Sequence, residues 1–571
     1  MTYDRYPTGE VSRLIYPNGT VVNRNYTGRG QLSGVGWGNG STSYAYWPDG
    51  KVDYQARTNG VTTRYGYDGR GMISSVLHEK DNQSLASREY WRDNRDRIVA
   101  WKRGTVNVPN VMETGRGDRY AYDAEGQLTQ ASYRALNPEP WLTLSDPKRS
   151  DSFQYDALGN RYGAAQVASR GPMTFTRRDN GLNQYQMWSP FSDLKYDDNW
   201  FSPWVPPGNG VTMADGYITA SYNALNQPMA MGSTGLGGNF YWFWHDPLGR
   251  CVKRWLGNGS GAPTGPITYF YYDGWNLVQD GPNASTAVRL YVHGGRVDEI
   301  VASKLGGQWY HHQYDARGHC ILLTDSTGTI QEQYDYDAFG MPYIYNAAGT
   351  SLGNSGGVGN RFLFTGREWL KDLRIYDYRY RHYQPELGRF LQLDPKQFEA
   401  GDYNLYRYCH NDPVNKSDPS GLVDLSYTPN NTKMADQLVW EPTYNPKEFF
   451  TIAGHGDENG IATAHGYVSI STILADMEKE GYKPGQPILL VVCESGRGSD
   501  PFADKFAKAV ADKYKVKTDV LAPTTEFGVF ERGKAPVVLP ERDKNYTKTR
   551  QYDRNKKGDL IRFTATPKKK P

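Results

Sequence analysis

Tyr155-Asp156-Ala157-Leu158-Gly159-Asn160 is one copy of a short pattern: an aromatic, Asp or Asn, two residues, usually glycine, then a polar residue. It recurs as Tyr67-Asp68-Gly69-Arg70-Gly71, Tyr122-Asp123-Ala124-Glu125-Gly126, Tyr314-Asp315-Ala316-Arg317-Gly318 and Tyr336-Asp337-Ala338-Phe339-Gly340. Degenerate copies stand at Tyr222-Asn223-Ala224-Leu225-Asn226 and His245-Asp246-Pro247-Leu248-Gly249-Arg250. The acidic side chain caps a type I turn, and the glycine supplies the left-handed residue that closes it. The residues leading into each turn alternate, as in Thr62-Thr63-Arg64-Tyr65-Gly66-Tyr67, with the period of two of a half-buried strand. Where consecutive copies are intact, roughly twenty to thirty-five residues separate them, one supersecondary unit per repeat. Such a unit cannot bury a face alone and must stack on its neighbours. An ordinary β-sandwich with coincidental turns is the bland alternative, and seven turns of one kind argue against it.

Composition agrees. At 571 residues the chain exceeds one compact core, so two or more units are expected. Tyr 44, Trp 15 and Gly 62 accompany a mean hydropathy of -0.72, the mix of many short strands wetted on one face. A net charge of +3 implies no general affinity for nucleic acid or membrane. Basic residues do cluster near the end, from Lys544, Lys548 and Arg550 to Lys568–Lys570, and read as a solvated, fraying tail. Cys251, Cys320, Cys409 and Cys493 form no CxxC pair, which argues against a zinc site or a disulfide scaffold; no cofactor or metal is expected. No apolar stretch reaches the length of a membrane span and residues 1–20 lack a signal-peptide core, so a soluble chain without an export signal is expected.

The units resemble the YD repeats of RHS proteins, teneurins and the C subunits of insecticidal toxin complexes. The resemblance sharpens at Arg361-Phe362-Leu363-Phe364-Thr365-Gly366-Arg367-Glu368, Tyr376-Asp377-Tyr378-Arg379-Tyr380-Arg381, Gly388-Arg389-Phe390-Leu391-Gln392-Leu393-Asp394-Pro395, Asn404-Leu405-Tyr406-Arg407-Tyr408 and Asp418-Pro419-Ser420-Gly421-Leu422. These segments resemble the RHS-associated core. The family implies a mainly β protein, a YD-repeat spiral β-shell (cocoon) with a core plug. The organisation expected is a shell over 1–350, a plug over 351–422 and an effector over 423–571. Cores of this kind resemble aspartyl autoproteases that cut after the DPxGL leucine, which places the cleavage between Leu422 and Val423. Asp394 and Asp418 would form the acid pair, one protonated and the other activating water, with Asp402 a possible substitute. Two turn-forming Asp-Pro pairs are the bland reading. The family further implies that the C-terminal domain is enclosed cargo, delivered by a bacterial secretion system. A secretion or shell-completing partner and an immunity protein accompany that expectation.

After Leu422 the texture changes. Strands are expected at Phe449–Ala453, Pro487–Val492 and Lys517–Leu521, with helices over Ser471–Glu480 and Phe502–Lys513, a parallel α/β sheet. Chemistry in such sheets sits at the carboxyl ends of strands, and His455 and Cys493 follow two of them. An imidazole can activate a thiol there, and the backbone at Gly456 can receive an oxyanion. Ile452-Ala453-Gly454-His455-Gly456 and Leu489-Leu490-Val491-Val492-Cys493 resemble clan CD, caspase-like cysteine peptidases. That resemblance implies a small α/β caspase-like domain acting on a target-cell protein. His465-Gly466 is a second, less favoured histidine. Both residues also read as core or structural groups. Two rivals remain. An ADP-ribosyltransferase is suggested by Ser469-Ile470-Ser471-Thr472 and Glu478-Lys479-Glu480, though the helical reading of that stretch opposes it. The other is a binding tip without chemistry.

Overall fold

The computed structural model describes residues 1–104, 114–167, 171–177, 185–189, 218–223, 225, 227–353, 356–396 and 402–422. Beyond these it describes 450–453, 455–457, 460–463, 466–467, 469–479, 482–486, 488–491, 502–523, 527–528, 537–538 and 560–565. The chain folds mainly into strands. Residues from Thr2 to Ser189 form a sixteen-stranded sheet and residues from Ile218 to Gly353 a thirteen-stranded one. In both, every strand pairs with its sequence neighbours, so each sheet is an unbroken antiparallel meander.

The turn chemistry foreseen for the repeats is present. In the turn at Asp156, Oδ1 accepts the amides of Leu158 (2.9 Å) and Asn160 (2.9 Å), and Gly159 sits at φ +73°. Its amide donates to the Asp156 carbonyl. The same backbone closure occurs where no Tyr-Asp stands: at Tyr6, Tyr16, Thr27, Trp47 and Arg57 near the start, and at Asn258, Asp325 and Asn346 later. Glycine three residues on is what these turns share, because its φ is positive. The sequence pattern, anchored on Tyr-Asp, saw fewer turns than there are.

The repeat tyrosine has its own task. The hydroxyls of Tyr67, Tyr122 and Tyr155 donate to the carbonyls of Val52 (2.7 Å), Ile98 (2.7 Å) and Leu128 (2.8 Å). Each bond ties one turn to the start of an earlier strand, and burial raises each of the Tyr67 and Tyr122 hydroxyls so that they stay donors.

The two sheets meet through side chains far apart in sequence. Leu14, Val22, Val35 and Trp37 of the first share an apolar cluster with Leu290, Val292 and Val301 of the second. Polar ties run alongside: Tyr16 Oη to the Tyr291 carbonyl at 2.7 Å, Gln55 to Glu299 at 2.7 Å, and Arg88 to Asp315 at 2.9 Å. Arg88 also lies 4.2 Å above the Trp101 ring. Residues 277–281 and 320–324 of the second sheet are buried on both faces. A further layer follows within the segment expected to form the plug, residues 351–422, with a small sheet of four strands from Glu368 to Phe390. Its Phe364, Trp369, Tyr376, Tyr378, Tyr383 and Tyr408 pack against Tyr314, Leu323 and Tyr334.

The C-terminal part is the expected α/β arrangement. Phe450–Ala453, Ile488–Val491 and Thr518–Pro523 are adjacent parallel strands in that order. Helices span Ile470–Lys479 and Phe502–Tyr514. Phe502, Phe506 and Val510 recur every four residues and are buried with Ile473, Met477, Ile488 and Val520. Two features were not foreseen. Residues 455–457, 460–463 and 466–467 form a separate three-stranded antiparallel sheet. Leu560–Ala565 pairs antiparallel with Thr518–Pro523, so the basic tail contains a sheet strand where a fraying segment was expected. Neither expectation about a caspase-like fold nor the 1–350, 351–422 and 423–571 boundaries follows from this topology alone.

Candidate functional site

The plug brings together the two aspartates singled out by sequence. Arg381 lies between them: its Nη2 is 2.9 Å from Asp394 Oδ2 and 3.3 Å from Asp418 Oδ2. All three residues are buried, at 3%, 6% and 7% exposure for Arg381, Asp394 and Asp418. The guanidinium is fixed by Phe390, whose ring centre lies 3.7 Å from Cζ, and by the Leu405 carbonyl at 3.3 Å. Burial pushes the Asp394 carboxyl up; Arg381 and the Lys396 amide hold it down, and Asp418 pushes it up again. Asp402 is engaged elsewhere, with Arg407 at 2.7 Å and the Asn404 amide at 2.8 Å.

Asp418-Pro419-Ser420-Gly421-Leu422 is itself a turn of the shell's kind. Asp418 Oδ1 accepts the amides of Gly421 (2.7 Å) and Leu422 (3.1 Å), and Gly421 has φ +74°. Leu422 is buried. Alongside, the Tyr380 amide donates to the Ser420 carbonyl at 3.3 Å and Arg379 Nη1 to the Pro419 carbonyl at 2.9 Å. Val423 lies outside the described residues. Sequence reasoning missed both arginines. Their signal was available: two cations, two residues apart, inside a run of tyrosines that must be buried, require carboxylates to meet them.

In the C-terminal part, His455 opens the short antiparallel strand 455–457 rather than a turn, and Gly456 stands opposite Ile461 in that ladder. Cys493, His465 and Glu480 lie outside the described residues. The transferase motif fails on local structure. Ser469 is a helix cap, its Oγ accepting the Thr472 amide at 3.1 Å, so Ser469–Thr472 is not a strand. Glu478 sits on that helix and pairs with Lys513 at 3.0 Å. The other three cysteines, Cys251, Cys320 and Cys409, are buried and free, and burial raises each thiol, that of Cys251 to about 12. They are core residues.

The uncharacterised protein YibJ of Escherichia coli K12 is 34% identical over 194 residues, 33% of this chain and 77% of YibJ. Double-stranded DNA deaminase toxin A of Burkholderia cenocepacia is 24% identical over 399 residues, 63% of this chain and 26% of the toxin. The chain belongs to the same family as YibJ, and its likeness to toxin components supports an RHS/toxin-family relationship. The tRNA3(Ser)-specific nuclease WapA of Bacillus spizizenii is 27% identical over 274 residues, 47% of this chain and 11% of WapA. The chain therefore spans only about a tenth to a quarter of these two relatives' length. The crystal structure of TcdB2-TccC3 without its hypervariable C-terminal region superposes with a TM-score of 0.55 at 18% identity. It covers 73% of this chain and 21% of that one, and shares the β-shell fold. A family model described as Domain of unknown function (DUF8616) matches residues 423–537, beginning at the residue after Leu422. Among the described residues no helix is long and apolar enough to cross a membrane.

Proposed function

We propose that this chain is an RHS-type toxin whose shell and plug, residues 1–350 and 351–422, enclose an effector, residues 423–571, and cut it loose after Leu422. The observation that carries this reading is the meeting of two buried carboxylates on Arg381, next to the turn that ends at Leu422. Water adds to the Leu422 carbonyl carbon while Asp418 accepts its proton. Asp394, which burial favours in the protonated form, gives a proton to the departing Val423 nitrogen; the C–N bond breaks, leaving a Leu422 carboxyl and a new amine. Each proton transfer is worth about 10²–10⁴ in rate. The start of the DUF8616 match at 423 supports this division of the chain. Intact-mass analysis tests it: the parent gives two pieces, while Asp394→Asn and Asp418→Asn each give one. A folded parent that stays whole, or variants that still split at Leu422, would overturn it. Fragments 1–422 and 423–571 should co-elute in native buffer if the cargo stays enclosed. Delivery by a bacterial secretion system, a shell-completing partner and an immunity protein belong to the same proposal.

The specific observation bearing on the effector's chemistry is strand register. Ala453 and Val491 are partners across adjacent parallel strands, and His455 and Cys493 each follow their strand residue by two positions. That placement favours a cysteine peptidase acting on a target-cell protein, with Cys493 as nucleophile, His455 as base and Gly456 near the oxyanion. Residues 423–571 expressed in a cell should be toxic, and Cys493→Ala or His455→Ala should abolish toxicity. Undiminished killing by Cys493→Ala, with loss of cellular tRNA, would replace the peptidase by nucleic-acid chemistry; no toxicity at all would leave a binding tip.

A further inference from the structure

Arg379 and Arg381 alternate along one run, and only Arg381 meets the acid pair. Arg379 instead holds the cleavage segment upstream, its Nη1 donating to the Pro419 carbonyl at 2.9 Å. Its other terminus, Nη2, is 2.7 Å from Asp298 Oδ1. Asp298 is not part of the plug. It lies in the connection between the shell strands Arg289–His293 and Ile300–Leu305, in a left-handed conformation at φ +55°. A non-glycine residue held there is strained, and the surroundings must over-determine it.

They do. Asp298 Oδ1 also accepts from Arg367 Nη1 at 3.1 Å, so one shell carboxylate serves two plug arginines. Gly366 closes the contact from the plug side: a Cβ there would come within 2.5 Å of the Asp298 carbonyl oxygen. Arg379 itself adopts φ +72°, with its amide donating to Asp377 Oδ1 at 2.6 Å. The side chains of Asp298, Arg367 and Arg379 are all at most 9% exposed. A chain of partly buried contacts thus runs from a shell connection, through Arg379, to the backbone three residues before Leu422.

We propose that Asp298 and Arg379 are positioning residues for self-cleavage, and that through them the plug can cut only after the shell connection at 294–299 has folded. The inference rests on the self-cleavage reading above. Neither residue touches the reacting atoms; each acts by fixing where the Leu422 carbonyl stands relative to Asp394 and Asp418. A misplacement of about 1 Å can cost about a hundredfold in rate, so Asp298→Asn and Arg379→Ala should each slow cleavage by about ten- to a hundredfold.

The experiment follows the appearance of the two fragments of the full chain by mass after refolding, across pH, with thermal melts of each variant. Asp298→Asn and Arg379→Ala should lower the rate by the same factor at every pH, leaving the inflections of the pH profile where the parent has them. The double variant should be no slower than the slower single one, because the pair acts as a unit. Arg379→Lys should recover part of the rate. Unchanged rates, inflections that move, or strictly multiplying losses would each overturn the proposal. So would slow cleavage explained wholly by a fraction of unfolded chain in the melts. If the parent does not cleave, or Asp418→Asn still does, the self-cleavage reading itself has failed; a cleaving parent with a normal Asp298→Asn variant sinks this inference alone.

Discussion

The turn at Asp156 and the turn at Asp418 have the same spelling, Asp, two residues, glycine, one residue, and nearly the same bonds. In both, Oδ1 accepts the amide four residues on and the glycine is left-handed. They differ in the second oxygen. Asp156 Oδ2 takes the Asn160 side-chain amide at 3.1 Å, and Asn160 Oδ1 in turn accepts Arg389 Nη2 and Asn404 Nδ2, each at 3.0 Å. Asp418 Oδ2 faces Arg381 and, across it, Asp394. A structural turn becomes a candidate catalytic one when a neighbouring strand supplies a buried cation and a second carboxylate.

That comparison can be broken most sharply at Arg381. Arg381→Met leaves two buried carboxylates without their cation, a change that costs about 3–5 kcal/mol when a buried pair is broken. Cleavage by intact mass should fall below detection and the melting temperature should drop. Asp156→Asn, in contrast, should cleave at the parental rate; a loss there would mean that the two turns are not functionally distinct.

A third turn sharpens the point, because Asp337 is a shell aspartate that is also buried. Burial raises it to about 7, with Arg149 opposing and Asp151 reinforcing, against 3.8 unfolded. The folded protein therefore keeps a proton that the unfolded chain releases. The associated stability is whole below about pH 4 and is lost as pH rises to about 7. Asp337→Asn does not titrate, so its melting temperature should gain on the parent's between pH 4 and 7 and then hold level. Between pH 4 and pH 8 the gap should widen by about 4 kcal/mol. A gap independent of pH would show that Asp337 is ionised in the fold.

The smallest effect concerns the two glycines. Gly421→Ala and Gly159→Ala each force a side chain into the left-handed region, at about 1–2 kcal/mol. Both should lower the melting temperature slightly, yet only Gly421→Ala should slow fragment release. Equal cleavage rates would place the geometry of residue 421 outside the reaction.

By itself the sequence determined the local chemistry. Asp capping and left-handed glycine are properties of five residues, so the turns were legible, and so was the period of the strands between them. The helices Ile470–Lys479 and Phe502–Tyr514 and the parallel order of three C-terminal strands were legible for the same reason, since one amphipathic spacing and short apolar runs decide them. Turns lacking Tyr-Asp, such as those at Tyr16 and Arg57, escaped because their capping residue, Asn18 or Asn59, stands directly before the glycine instead of after an aromatic. Tertiary structure decided how the aspartates meet. The resemblance and the two Asp-Pro pairs single out Asp394 and Asp418, but it is Arg381 and Phe390 that gather them, while Arg407 takes Asp402. The link from Asp298 to Arg379 spans 81 residues, and no local pattern can encode a partner that distant; burial makes the choice, because a charge out of water must find its opposite wherever the fold brings one.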